Sequence, residues 1–362
     1  MDSNSLNKII VIGSSNENTK TINISDYKFF ENQQYVIYPS CFNDKFKLEI
    51  NNDVLKITRV DSTDGWGQYL KLMIVNLDLL RFKIFKTANF GDGVNHRFWT
   101  EMIGKGDIII NDNSKTHYFT TGSILNNAND NSIVFGTGFI SETDDLGGCM
   151  WYGNNTKHAT PSCVLAVRGP KTRQKLLNFG VNCPENYGDP LILMPCLYNK
   201  HKKVNDDIIG ILPHYIDKDT PNVLKLVKSL ESQGYTVNIL DICVTDDYER
   251  LINSINRCKY IISSSLHGVI MGIVYAKQTI FVPFSEKVTG NHFKFYDFFE
   301  SVDINYNIDI NFTYTLLNNV IDVNYDKLIS TGLNLIDICP FLSDGRKCTL
   351  KRNYNEFYKI AL

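Results

Sequence analysis

The chain lacks the usual marks of a metalloprotein, a membrane protein or a nucleic-acid binder. It holds nine cysteines and seven histidines but no CxxC pair and no HxxxH spacing, so local sequence assembles no common zinc site. Spanning a bilayer takes about 20 consecutive apolar residues, and Ile9-Ile10-Val11-Ile12 falls far short. Lys and Arg total 37 against 39 for Asp and Glu, a net charge of −2, which leaves no basic excess for a phosphate backbone. No repeat array or low-complexity tract is present. The opening Met1-Asp2-Ser3-Asn4-Ser5 lacks the pattern of a secretory leader, and this predicts a cytoplasmic protein. The odd cysteine count, with several in apolar runs such as Ser162-Cys163-Val164-Leu165-Ala166-Val167, predicts free buried thiols in a reducing compartment.

What is present is enough apolar material for a large core: 362 residues, 43% hydrophobic and 12% aromatic. Residues 1–80 read as a small all-β module. Phe46 to Ile50 and Val54 to Val60 are β-rich, with Asn51-Asn52-Asp53 as the turn between them. From residue 81 strand-like runs such as Ser132 to Phe135 and Val164 to Val167 alternate with helix-compatible stretches, which argues for parallel α/β layers. The polar stretch Tyr198 to Asp207 reads as a linker. A second α/β unit follows it, with strands at Ile208 to Pro213, Thr236 to Leu240, before Ser263, and Thr279 to Pro283, and helices between them. The expected organisation is therefore a β module at 1–80, Rossmann-like halves at 81–200 and 201–345, and a C-terminal helix at 346–362 that packs back.

The most telling motif is Ser263-Ser264-Ser265-Leu266-His267-Gly268, between the apolar run Tyr260-Ile261-Ile262 and the small, apolar run Val269 to Val274. It reads as strand, tight turn, helix start. A helix N-terminus presents unpaired N–H groups and the positive end of its dipole to an anion, and a histidine there can hand over a proton. A lone histidine is more often structural, but this one sits at a strand-to-helix switch after a serine triplet.

Weaker signals accompany it. In Asn89-Phe90-Gly91-Asp92, a glycine permits close backbone approach while Asn89 and Asp92 can bind hydroxyls or cap a helix. Gly122-Ser123-Ile124 and Gly136-Thr137-Gly138 are turns at strand ends. Arg168 leaves a strand end at the edge where α/β sheets bind ligands, and its fork suits a carboxylate or phosphate, although a surface ion pair is the commoner fate of a lone arginine. His214 follows Pro213 in the second half, and Lys294 lies downstream.

In this order the motifs resemble the polysaccharide pyruvyl transferase family. The matching pieces are Asn89-Phe90-Gly91-Asp92, Gly122-Ser123-Ile124, Gly136-Thr137-Gly138, Arg168-Gly169-Pro170, Gly188-Asp189-Pro190, Pro213-His214, Ser264 to Gly268, and Phe293 to Asp297. They span about residues 81–340, with residues 1–80 outside as an addition. The resemblance implies a GT-B-like α/β fold and transfer of a pyruvyl group from phosphoenolpyruvate to a sugar of a polysaccharide, glycoprotein glycan or lipid-linked precursor. The product is a ketal, and neither metal nor cofactor is needed.

By this resemblance His267 is the general acid that protonates the enol methylene, and Arg168, Ser264, Ser265, Leu266, Gly268 and Lys294 bind the donor. Asn89, Gly91, Gly122, Ser123, Gly136, Thr137 and Gly138 line the acceptor cleft. Asp92 and His214 are alternative bases for the acceptor hydroxyl. Many family members carry Arg immediately before the Leu-His pair; here it is Ser265, so one anion anchor comes from elsewhere, Lys294 or Lys287. Contact with a membrane is peripheral, and arises if the acceptor is lipid-linked. Two other readings compete: a GT-B-type glycosyltransferase using a nucleotide sugar, and a carbohydrate-binding protein with a degenerate transferase core.

Overall fold

A computed structural model describes residues 19–23, 46–51, 54–59, 88–104, 116–146, 160–199, 205–244, 248–307 and 312–362. In chain order the strands are β1 (Thr19–Asn23), β2 (Phe46–Asn51), β3 (Val54–Arg59), β4 (Ala88–Asn89), β5 (His117–Phe119), β6 (Ser132–Phe135), β7 (Cys163–Ala166), β8 (Asn205–Leu212), β9 (Thr236–Ile239), β10 (Cys243–Val244), β11 (Cys258–Ser263) and β12 (Gln278–Phe281). The helices are α1 (Phe90–Gly93), α2 (Asn95–Ile103), α3 (Pro170–Asn178), α4 (Pro221–Glu231), α5 (Tyr248–Asn256), α6 (Leu266–Val274), α7 (Phe293–Ser301), α8 (Tyr325–Ile338) and α9 (Asp344–Ala361).

Before residue 81 the described residues form an antiparallel sheet in the order β1-β3-β2. Asn51 pairs with Val54, leaving a two-residue connection in the Asn-rich stretch read as a turn. Tyr35 to Tyr38, Tyr69 to Val75, Arg81 to Lys86 and Asp107 to Ile110, which also read as strands in the sequence, lie outside the described residues.

The remainder is mixed α/β, as expected, with two parallel sheets. One has the order β5-β6-β7 and the other β12-β11-β8-β9. A short antiparallel ladder, β10 with β4, stitches Cys243 to Asn89 and Val244 to Ala88. It brings the residues before α1 to the carboxyl side of the four-stranded sheet. Strand β8 begins at Asn205, inside the stretch read as a linker. Its polar start is held by pairing with β11, where Cys258 partners Asn205.

Local sequence explains the helices that matter. Pro221 opens α4, Val223, Leu226 and Leu230 bury one stripe, and Gly234 at φ +89° takes the left-handed turn after it. Helix α6 is buried on every side. It lies close to its sheet because Gly268 and Gly272 carry no side chain; a Cβ at either position would overlap Ser263 Oγ or Thr279 Oγ1. The largest apolar cluster takes in Phe135 and Ala166 from one parallel sheet and Leu212 and Ile261 from the other. Helix α9 packs back on the body, its Arg346 donating to the carbonyl of Met102 at 2.7 Å and its Tyr358 to that of Val274 at 3.2 Å.

The seven cysteines among the described residues are free. Cys183, Cys196, Cys258 and Cys339 are buried, and burial raises their thiols, to about 11 for Cys183 and Cys258 and about 12 for Cys339. Cys163 and Cys348 are exposed and depart from the expectation of burial. Cys163 opens β7.

Candidate functional site

The chain leaves β11 at Ser263 and enters α6 at Leu266. Ser263 Oγ holds this turn, donating to the Leu212 carbonyl at 2.6 Å and accepting the Ser265 N–H at 3.0 Å. Ser264 Oγ accepts the His214 N–H at 2.9 Å, so the ends of β8 and β11 are tied together. Ser264, Ser265, Leu266 and His267 are all buried.

The His267 imidazole lies against Gly91. A Cβ on Gly91 would overlap Nδ1 and Cε1 from the face of the ring. The glycine of Asn89-Phe90-Gly91-Asp92 is therefore required by the histidine 176 positions later, not by its own backbone torsions. At the ring's edge Nε2 faces Asp189 Oδ2 at 3.5 Å. Both atoms are buried and neither has a hydrogen-bond partner. Asp189 is held in place because its Oδ1 accepts the Leu191 N–H at 3.0 Å, opening the 3-10 helix Pro190–Cys196. The side chains of Asn89 and Asp92 lie outside the described residues.

A second polar group adjoins the Ser264 turn. Asp217 is fully buried, and its Oδ1 accepts the Ser285 hydroxyl. Burial raises its carboxyl above the ordinary value, opposed by hydrogen bonds from Ser264 and Ser285 and by the charges of Lys287 and Lys294. Lys294 is buried on α7 with Nζ 5.6 Å from the Phe295 ring centre. His214 is nearly buried; its Nδ1 accepts the Ile216 N–H at 3.3 Å, and its ring lies 4.2 Å from that of Tyr215.

Arg168 does not present its fork to an open crevice. It is fully buried: Nε donates to Asp297 Oδ2 at 3.0 Å, Nη1 to Ser123 Oγ at 2.6 Å and Nη2 to the Phe139 carbonyl at 2.5 Å. Asp297 also accepts the Thr172 N–H at 2.8 Å and the Thr172 hydroxyl at 2.7 Å. The pair clamps α7 onto the carboxyl edge of the three-stranded sheet. Neighbouring glycines make room for it: a Cβ at Gly138 would stand 2.7 Å from Arg168 Cζ, and one at Gly169 would overlap the Asp297 carbonyl oxygen.

Of the residues expected to line an acceptor cleft, Ser123 and Gly138 serve this clamp, and Gly122 and Thr137 shape the turns beside it. Ser123 takes an arginine hydrogen bond, and Thr137 Oγ1 donates to the Gly122 carbonyl at 2.7 Å. Gly122 and Gly136 adopt φ of +110° and +94°, as tight turns at strand ends require.

The structure thus brings His267, Gly91 and the Ser264 turn together, with His214 tied to that turn, and sends the Arg168 guanidinium elsewhere. The sequence motifs contained Asp189 and Asp297 without marking either as a functional position, and Asp217 was not singled out at all. No local period could pair Asp189 with His267, or Asp297 with Arg168. A separate groove of about 780 Å³, lined by Lys171, Gln174, Asn178, Phe179 and Tyr296 among others, shares none of the His267 contacts. Among the described residues no three His, Cys, Asp or Glu side chains group as a metal site, and no helix is long and apolar enough to cross a membrane.

Comparison with known proteins agrees with the motif reading. The chain is 29% identical over 221 residues, 59% of its length, to an uncharacterized protein of Acanthamoeba polyphaga mimivirus, covering 70% of that protein. No solved structure matches it significantly. The sequence profile of the polysaccharide pyruvyl transferase family matches residues 16–286. It opens well before residue 81, so most of the segment read as an addition falls inside the family's own span, and it closes before Lys294 and Asp297. With three quarters of its length matched in this way, the chain belongs to the polysaccharide pyruvyl transferase family.

Proposed function

We propose that this protein transfers a pyruvyl group from phosphoenolpyruvate to a sugar of a polysaccharide, glycoprotein glycan or lipid-linked glycan precursor, closing a ketal on two hydroxyls and releasing phosphate. The observation that carries the reading is His267: an imidazole in the first turn of α6, with its face over Gly91 and a buried carboxylate at its Nε2 edge. Such a group can protonate a carbon next to an anion bound at the helix N-terminus. We read the two parallel sheets as the halves of a GT-B-like pair, residues 81–200 and 201–345.

The donor carries a carboxylate and a phosphate. The N–H groups that open α6, Lys294 and Lys287 supply the positive field, and Ser264 fixes the turn that aims it. Arg168 acts at one remove, holding α7 and with it Lys294. Proton delivery to C3 leaves an oxocarbenium-like centre at C2, which one sugar hydroxyl attacks; a second hydroxyl then displaces phosphate. Asp92 and His214 are the two candidates for the base that takes the first hydroxyl proton. The scheme calls for neither metal nor cofactor.

The test incubates the purified chain with phosphoenolpyruvate and acceptors bearing galactose, glucose or N-acetylhexosamine. Phosphate release together with a gain in acceptor mass is expected, and His267→Ala should keep the fold while losing turnover. Nucleoside diphosphate release from a nucleotide sugar, with phosphoenolpyruvate untouched, would establish a glycosyltransferase instead. Sugar binding that survives His267→Ala in a chain without any turnover would establish a binding protein.

A further inference from the structure

Gly188-Asp189-Pro190 is a motif that the proposed chemistry leaves without a role. Asp189 is fully buried, and only one of its carboxylate oxygens is engaged, by the Leu191 N–H. The other, Oδ2, points at His267 Nε2 across 3.5 Å, and these are two of the few buried side-chain polar atoms without a hydrogen bond among the described residues. Buried polar atoms ordinarily find partners. Two orphans of complementary character that face one another constitute an unclosed hydrogen bond, longer than the 2.7–2.9 Å or so of a formed charge-assisted one. Catalytic hydrogen bonds are often long in the unliganded state and tighten when substrate binds.

We infer that Asp189 is the positioning residue of His267, accepting the Nε2 proton and thereby assigning proton delivery to Nδ1. This rests on the proposed function for its chemistry, although the dyad itself stands on geometry. The ring is fixed on its face and at its Nε2 edge. Gly91 lies against the face over Nδ1 and Cε1, leaving the in-plane direction of Nδ1 clear of it, and Asp189 is anchored by its own cap on the 3-10 helix, so the carboxylate cannot swing away without opening that helix.

The doubly protonated ring gives its Nδ1 proton to C3 of the enol; the N–H bond breaks and a C–H bond forms. The neutral ring that remains keeps its Nε2–H on Asp189. The same tautomer is ready to be protonated again at Nδ1 for the next turnover. Without the carboxylate the ring is free to take the other tautomer, which presents its proton to the wrong side.

The experiment labels the histidine rings of the full chain with ¹⁵N and reads the His267 tautomer by NMR, assigning its signals by their loss in His267→Gln. The wild-type protein should show the Nε2–H tautomer when neutral; an Nδ1–H tautomer overturns the inference. Asp189→Asn preserves an oxygen for the Leu191 N–H. In this variant, with circular dichroism unchanged, the tautomer populations should shift, and kcat with phosphoenolpyruvate should fall at least about 100-fold with KM little altered. An unchanged His267 spectrum in a folded Asp189→Asn protein overturns the inference. If Asp189→Asn does not fold, the wild-type tautomer decides alone. A wild-type protein that leaves phosphoenolpyruvate untouched defeats the proposed function, while the NMR measurement still decides the dyad.

Discussion

At the scale of single residues, the contact between Gly91 and His267 links the two strongest sequence motifs. Backbone torsion does not require a glycine at position 91, which lies in a short helix. The demand is purely steric, because the place of a Cβ is already filled by the imidazole. Gly91→Ala should therefore displace the ring, cutting turnover about 100-fold through misplacement of roughly an ångström and costing about 1–3 kcal/mol by overpacking. A double-mutant cycle isolates the cause. In a His267→Ala background the same Gly91→Ala change should cost little, giving a coupling of about 1 kcal/mol or more in chemical denaturation. Equal costs in both backgrounds would show that Gly91 serves something other than the ring.

At the scale of elements, the turn between β8 and α4 stores a carboxylate where few would be tolerated. Asp217 closes a backbone turn by donating its N–H to the His214 carbonyl at 2.7 Å, and its side chain is buried beneath the Ser264 turn. Burial raises its folded-state pKa above the ordinary 3.8, against the pull of Lys287 and Lys294. A raised carboxyl favours folding fully below the unfolded value, and that contribution is lost as pH rises through the folded one. Above that folded value the ionised Asp217 is thus a cost, tolerated for its place between Ser264, Ser285 and two lysines. Asp217→Asn should melt higher than wild type at pH 7.5, by about 1.4 kcal/mol for each pH unit of the shift. The advantage should shrink as pH falls toward 3.8. A variant that is less stable at pH 7.5, with no pH dependence, would mean that the ionised carboxylate is held by compensating charge.

Elements also mark how much the sequence could tell. Strand β11 and helix α6 were legible because an apolar β run meets a serine turn and then a small, apolar helix, so the change of period falls within a few residues. The hairpin of β2 and β3 was legible from its Asn-rich turn. The polar first residues of β8 were not, because what makes them a strand is pairing with Cys258 across the sheet. The fate of Arg168 was misread for the same kind of reason. A fork at a strand end looks ready for a ligand until its carboxylate partner, on a helix 129 residues later, arrives to take it.

At the scale of the whole molecule, that partner does what no local element can. Asp297 sits on α7, which follows the four-stranded sheet, and binds Arg168 and Thr172 at the edge of the three-stranded one. Desolvating both charges makes such a pair a poor source of net stability, yet removal of one partner leaves an uncompensated buried charge that costs about 3–5 kcal/mol. Asp297→Leu should lose about that much in chemical denaturation. The Thr172 amide, which bonds to the missing carboxylate, and the amides of α7 should gain hydrogen exchange beyond the global change. A second replacement, Arg168→Met in the Asp297→Leu protein, removes the orphaned charge and should recover much of the stability. It should not recover turnover, because α7 carries Lys294 and its seating on the opposite sheet is set by the fork geometry of the arginine, which an apolar pair cannot reproduce. Recovery of both together would show that the clamp contributes stability alone and that Lys294 is positioned by other contacts.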